Sequence, residues 1–183
     1  MNEDVSFILG ALEDGYVHNR ANVGDYGIEF DQTNKEWLQV LSAKFQRCFN
    51  KTSNIKITKK GYRLRICSKD IYNSIRRLQN DFDILKQNED CKRNFLRGVF
   101  DAESSVHKNR YSITLTNKKL WLLIKCRKLL EEFGITTGKI YIDKRNNVKT
   151  LPVYGKLNLI KFNVQIGFSH PEKDKKLKVL LNP

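Results

Sequence analysis

Long apolar segments and closely spaced cysteines are both missing from this chain of 183 residues. No apolar run approaches the roughly 20 residues that a helix needs to cross a bilayer, so we expect no membrane-spanning segment and no membrane partner. The four cysteines lack the close spacing of a zinc site, and we expect no secretory leader before them. They are typical of buried thiols in a reducing compartment, so we expect an intracellular, cytoplasmic protein.

Acidic residues are also scarce relative to basic ones. Lys and Arg together number 34 against 20 for Asp and Glu, which gives a formal net charge of +14. Such an excess favours a polyanionic partner, above all a nucleic acid. A solubilising surface or a protein bound to ribosomal RNA would show the same excess. The 40% of apolar residues suffices for one large domain or two small ones with a core.

Two segments about half the chain apart resemble each other. Phe7–Val17 and Phe95–Val106 are each an apolar helical run with an internal glycine, followed by an alternating, strand-like stretch. Each helical run ends on a carboxylate, at Asp14 and at Glu103. Two acids from a repeated helix could hold a divalent metal between two half-sites. Metal-binding acids in a basic protein indicate a nuclease.

The similarity continues through both halves. Each reads helix, strand, strand, helix, strand, strand, helix, with strands such as 54–58 and 139–143 and closing helices near 69–79 and 156–165. Hairpin-linked strands imply antiparallel sheets, and helices on one face imply an α+β fold. We divide the chain into a first repeat (1–80), a polar linker (81–92) and a second repeat with a basic tail (93–183). The tail from 169 is either a final helix or a loose basic arm.

Strand alternation sorts the side chains of each sheet into an inward and an outward face. Ile55, Ile57, Ile140 and Ile142 are expected to face the helices. The outward residues are donors and acceptors suited to base edges and phosphates, although every antiparallel sheet has one wet face. We expect the following to contact nucleic acid: Tyr16, His18, Arg20, Lys56, Thr58, Arg63 and Arg65 in the first half, and His107, Ser112, Thr114, Thr116, Tyr141 and Arg145 in the second.

The paired segments resemble the motifs of the LAGLIDADG homing endonucleases, in their single-chain, two-repeat form. The stretch 96–103 follows the family pattern with Glu103 at the metal-binding acid, and departs from it at Ser104, where glycine is usual. The first motif ends in Asp-Gly-Tyr-Val at 14–17 but is one residue shorter between its glycine and its acid. Asp14 is favoured as the metal ligand, with Glu13 as the alternative; the two differ by about 100° around a helix.

The resemblance, which covers about 5–167, implies a specific fold. Each repeat would be an αββαββα unit related to the other by a pseudo-twofold axis, and the paired sheets would form a saddle over DNA. The motif helices would pack at the centre through small residues, here Gly10, Ala11, Gly98 and Ala102. Two repeats in one chain imply a monomer of the type encoded in archaeal introns.

The resemblance also implies an activity, which is a double-strand break with 3′ overhangs in a long, degenerate, pseudo-palindromic DNA target. Asp14 and Glu103 would bind Mg²⁺, for which Mn²⁺ or Ca²⁺ could substitute. Gln32 and Asn117 match polar positions near the cut, and helix capping is the alternative for both. A lysine is expected nearby, and the candidates are Lys69, Lys108, Lys118 and Lys156.

Two other functions fit the same scaffold. One is an intron maturase that binds intron RNA to aid splicing, and the other is a DNA-binding regulator that has lost cleavage. The acids present in both repeats argue against simple loss of activity.

Overall fold

Two four-stranded antiparallel sheets form the framework of the protein. The computed structural model describes residues 2–81 and 83–182. The strand orders are β1-β2-β4-β3 and β5-β6-β8-β7, so each half has the same topology. This confirms the α+β fold with two αββαββα repeats.

The two halves have the same order of elements along the chain, and a further helix follows the second half. The first half contains α1 (Glu3–Ala11), β1 (Tyr16–Arg20), β2 (Asp25–Gln32), α2 (Lys35–Phe49), β3 (Asn54–Thr58), β4 (Gly61–Cys67) and α3 (Lys69–Asp81). The second half contains α4 (Glu89–Glu103), β5 (Ser104–His107), β6 (Ser112–Asn117), α5 (Leu120–Glu132), β7 (Tyr141–Asp143), β8 (Val148–Tyr154) and α6 (Lys156–Gln165), followed by α7 (Pro171–Leu181).

Asparagine side chains define where three of these helices begin. Asn2, Asn34 and Asn88 precede α1, α2 and α4, and each side-chain oxygen accepts a backbone N–H of the first turn at 2.8 to 2.9 Å. Such caps satisfy donors that the helix itself leaves unpaired.

The tail forms a helix and not a loose arm. Leu177 and Leu180 of α7 are buried in the common core, which anchors the helix. Between the halves, α3 ends at Asp81, α4 begins at Glu89, and a short 3₁₀ turn spans Ile84–Lys86. The proposed division into 1–80, 81–92 and 93–183 stays a prediction, and residues 1, 82 and 183 lie outside the described part of the chain.

Helices α1 and α4 lie in contact at the centre of the molecule. A Cβ added to Gly10 would collide with the carbonyl oxygen of Phe95, and one added to Gly98 would collide with that of Phe7. The two backbones therefore approach as closely as glycine allows, with pseudo-symmetric partners. Ala11, which follows Gly10, is fully buried beside them.

The inward sheet faces carry the aliphatic core that the alternation predicts. Residues such as Leu64 and Leu115 are fully buried against the helices. Two predicted inward residues are not buried, because both lie on edge strands: Ile57 is 84% exposed on β3, and Ile142 is exposed on β7. The prediction of four buried thiols is also wrong, because Cys67 at the end of β4 is exposed.

No helix among residues 2–81 and 83–182 is long and apolar enough to cross a membrane.

Candidate active site and DNA-binding face

Asp14 reaches its place through a tightened turn at the end of α1. After Ala11 the chain continues with i→i+3 hydrogen bonds, including Asp14 N–H to the Ala11 carbonyl at 3.2 Å. Three residues in 3₁₀ geometry advance about 6 Å, as do the four α-helical residues from Val99 to Glu103. Since Ala11 and Val99 follow the two paired glycines, this turn compensates for the residue missing from the first motif.

Each acid is hydrogen-bonded by the last residue of the second strand of its own half. Gln32 Nε2 donates to Asp14 Oδ2 at 2.7 Å, and Asn117 Nδ2 donates to Glu103 Oε1 at 2.7 Å. The four predicted active-site side chains thus form two equivalent pairs. Asn117 also caps the start of α5, because its Oδ1 accepts the Lys119 N–H at 2.8 Å.

The two carboxylates lie close enough to influence each other's charge. Burial, followed by the charge of Asp14, raises the pKa of Glu103 to about 7. Burial likewise raises the pKa of Asp14, against the charge of Lys173 and the Gln32 hydrogen bond, which lower it. Two neighbouring acids of like charge are hard oxygen donors whose repulsion a divalent cation would relieve. The donor set therefore fits Mg²⁺ or a similar ion.

Glu13, the alternative ligand, is engaged elsewhere. Its carboxylate forms an ion pair with Lys119 Nζ at 2.8 Å, and the side chain is mostly buried. The pairing with Gln32 supports Asp14 as the counterpart of Glu103, although its role as a metal ligand stays a prediction.

Sequence reasoning missed Lys173, a lysine whose charge interacts with both of these acids. Lys173 of α7 donates from Nζ to the carbonyls of Phe100 (3.1 Å) and Asp101 (2.6 Å) at the end of α4. Burial lowers the pKa of Lys173 to about 8, while the charges of Asp101, Asp14 and Glu103 act in the opposite direction. It is not among the four predicted candidates, and its place in a basic tail gave no signal.

A buried carboxyl group anchors the start of α7 beside this lysine. Asp101 accepts the backbone N–H groups of Ser169 and His170 at 3.1 to 3.2 Å, and burial raises its pKa to about 7. The His170 ring stacks on Trp37 of α2 with centroids 6.1 Å apart. The C-terminal helix therefore connects both halves next to the candidate site.

The outward face of the first sheet differs from expectation at His18. Its side chain was predicted to be exposed, but the residue is only 6% exposed. The ring lies over Gly27, its partner on β2, where any Cβ would collide with it, and it stacks on Tyr16 with centroids 5.3 Å apart. Tyr16 and Arg20 are exposed as predicted.

The outward face of the second sheet carries hydroxyl groups and has few charges. Ser112 was predicted to be exposed but is only 2% exposed, because it lies in register between His107 and Tyr154. His107 Nε2 lies 2.8 Å from Thr114 Oγ1. Three other predicted residues are accessible to differing degrees: Thr116 is half-buried, and Tyr141 and Arg145 are exposed. DNA contact by the residues of both faces stays a prediction.

Acidic residues on the first sheet face were also missed. Asp25, Glu29 and Asp31 alternate along β2 and share the face with Arg63 and Arg65 of β4, to which they are paired. The same period-two alternation that placed the arginines outward would have found these acids.

Comparison with known proteins agrees with this geometry. Residues 90–167 match the LAGLIDADG-like domain family. The structure of I-DmoI in complex with DNA and Ca is similar over 97% of this chain and 97% of that one, with a TM-score of 0.76 and 21% identity. The second half of this chain therefore matches the LAGLIDADG-like domain family, and the whole chain has the fold of I-DmoI. The motif helices of this chain are α1 and α4, and it has the two-repeat, single-chain form.

Two relatives align with this chain over very different shares of their own length. Homing endonuclease I-ApeI of Aeropyrum pernix is 26% identical over 196 residues, covering 96% of this chain and 86% of that protein. Elongation factor 2 of Methanopyrus kandleri is 31% identical over 123 residues, which are 67% of this chain but only 8% of that protein. Other I-DmoI structures are described in complex with DNA and Mn, and with target DNA in the presence of Mg.

Proposed function

We propose that this LAGLIDADG protein is a site-specific homing endonuclease that hydrolyses one phosphodiester bond in each strand of a double-stranded DNA target. The observation that carries the proposal is the meeting of Asp14 and Glu103, which come from the ends of the two motif helices and are acids of like charge with raised pKa values. A fold that served only to bind DNA would have no need for this repulsion. Such an enzyme acts inside the cell, and two repeats in one chain let it act as a monomer.

Asp14 and Glu103 are the residues that would hold a divalent metal, with Mg²⁺ as the proposed ion. When bound, such an ion lowers the pKa of attacking water and stabilises the leaving oxygen. Gln32 and Asn117 each hold one carboxylate oxygen, which fixes the orientation of the acids and leaves Oδ1 and Oε2 for a ligand. The I-DmoI complexes with DNA and Mn, Ca or Mg support divalent metal use.

The target is proposed to be a long and only roughly palindromic DNA. The two sheets have the same topology, which supports recognition of two half-sites, but the side chains on their outward faces differ. The first presents paired arginines and acids, whereas the second presents mainly hydroxyl groups and aromatic rings. Different donor sets read different base edges, so the half-sites should differ.

Selection of cleaved sites from a random DNA library with Mg²⁺ tests the proposal. The wild-type chain should yield one long consensus and cut it on both strands. Asp14→Asn and Glu103→Gln should each lower cleavage by at least about 10³-fold, because each variant loses a negative charge at the metal site. Both variants should still bind the selected DNA, because the sheet faces are unchanged.

Glu131→Gln on the exposed surface of α5 removes the same charge far from the acids and should cut normally. Full cleavage by both active-site variants would contradict the proposal. Tight binding of intron RNA with no DNA cleavage would favour the maturase, which the carboxylate pair does not by itself support.

A further inference from the structure

Acidic side chains line the DNA-facing surface of the first sheet, although phosphates repel them. Asp25, Glu29 and Asp31 occupy three of the four outward positions of β2 from 25 to 31, and Gly27 occupies the fourth. In a chain of net charge +14, carboxylates on this particular face oppose the general attraction for DNA. Their role is indicated by what they contact.

Together the three acids hold two arginines. Asp31 accepts both Nε and Nη2 of Arg63 at 2.7 Å, and Asp25 accepts Nη2 of Arg65 at 2.7 Å. Glu29 lies between them, with Oε2 3.2 Å from Arg63 Nη1 and Oε1 3.1 Å from Arg65 Nε. Each guanidinium is therefore fixed by two different carboxylates.

Glu29 is the link of this network. Each of its oxygens contacts a different arginine, and its side chain is only 14% exposed although it lies on an open sheet face. A single exposed ion pair contributes little, but planar guanidinium groups held by several carboxylates lose much less entropy when they form a further hydrogen bond. Arginine has five N–H donors, so donors remain on both side chains for a DNA base.

An arginine that is fixed by carboxylates recognises DNA differently from one that is mobile. A mobile guanidinium binds any phosphate it can reach, which adds affinity for all sequences. A fixed fork fits the O6 and N7 acceptors of guanine and discriminates against other bases. Neighbouring carboxylates also weaken the phosphate contacts, since they cancel the charge that attracts the backbone.

We propose that Glu29 is a specificity-determining positioning residue, which holds Arg63 and Arg65 for base recognition and suppresses their non-specific binding to phosphates. The inference rests on the proposed DNA-cleaving function and concerns the half-site read by the first repeat. The second sheet offers no equivalent among the described residues: its outward acid, Asp143, pairs with Arg145 two residues away in an exposed turn.

The test compares affinity for the selected target with affinity for a scrambled duplex of equal length, without divalent metal. Glu29→Gln should tighten binding to scrambled DNA by about 10-fold and change target binding by less than about 3-fold, so that the specificity ratio falls. Glu29→Asp keeps the charge but is one methylene too short to contact both arginines. It should also lower the ratio, by about 3-fold or more.

Glu131→Gln serves as the control for charge alone. It removes one negative charge from the exposed surface of α5, away from the arginines of both sheet faces, and should leave the ratio unchanged. Melting curves verify that all variants fold. In a library selection, Glu29→Gln should lose base preference in one half-site only, and the other half-site provides an internal standard.

An unchanged ratio in Glu29→Gln, or wild-type behaviour of Glu29→Asp, would overturn the inference and leave the proposed function intact. A wild-type chain without any sequence preference would overturn both.

Discussion

At the scale of single residues, the main feature of the site is the repulsion between the carboxylates of Asp14 and Glu103. Glu103 is half-buried and Asp14 is more exposed, and the negative charge of Asp14 contributes to raising the pKa of Glu103 to about 7. The amide groups of Gln32 and Asn117 only partly compensate. A folded protein keeps such a pair at a cost in stability, which a divalent cation would offset.

The first prediction concerns that cost. The pKa of Glu103 is higher in the folded chain than the ordinary 4.5, so its stabilising effect is present below about 4.5 and is lost as pH rises through about 7. Glu103→Gln mimics the protonated acid. At pH 8 it should stabilise the metal-free protein by about 1–2 kcal/mol, after allowance for solvent screening.

Thermal or urea unfolding from pH 4 to 8 measures this difference, which should shrink toward zero at the acidic end. Adding Mg²⁺ should reduce it at pH 8 by stabilising the wild type alone. Glu131→Gln, on an exposed helix surface, should show no such pH dependence. Equal stability of Glu103→Gln and wild type at pH 8 would contradict the prediction.

At the scale of helices and strands, the two motif helices bring the acids together. Their contact depends on Gly10 and Gly98, where any side chain would meet the opposite backbone. The motif pattern predicted this central contact. It did not predict how the shorter first motif places its acid, since the 3₁₀ turn after Ala11 becomes visible only in the hydrogen bonds.

Gly10→Ala tests the contact. Within an ordinary helix alanine would stabilise by about 1 kcal/mol relative to glycine. Here the new methyl group meets the Phe95 carbonyl and lies 2.9 Å from the Val99 nitrogen, so we expect a net loss of about 2 kcal/mol or more. Urea unfolding measures it, with Ser74→Ala on the exposed side of α3 as the matched substitution. Stabilisation by Gly10→Ala would show that the helices do not touch there.

The C-terminal helix α7 supports the second motif helix. Lys173→Met keeps the apolar stem but removes the donor from the carbonyls of Phe100 and Asp101. We expect a loss of about 1–3 kcal/mol, because buried carbonyl groups are left without that partner. Chemical unfolding checks this, and Lys176→Met, exposed on the same helix, should fall within about 0.5 kcal/mol of wild type. Equal stability of the two variants would exclude the supporting role.

At the scale of the whole molecule, the net charge of +14 determines how affinity depends on salt. If the outward faces make six or more phosphate contacts, target affinity should fall by about 10³-fold between 50 and 200 mM salt. Lys56→Gln on the outward face should lower the slope of log K against log salt by about 1, whereas Lys128→Gln on α5 should leave it unchanged. A nearly flat salt response would contradict binding of DNA across the paired sheets.

What the sequence by itself determined was the repeated architecture and the main acids. Hydrophobic periodicity and the two motifs are local patterns, and they predicted both sheets and the central helices. The family resemblance placed Gln32 and Asn117 in the same site as Asp14 and Glu103, but it did not predict the hydrogen bonds that pair them. The tertiary structure alone decided that Lys173 supports α4, that His18 and Ser112 are buried, and that Glu29 links two arginines. These features depend on distances between side chains far apart in the chain or on opposite strands, and no local pattern encodes such distances.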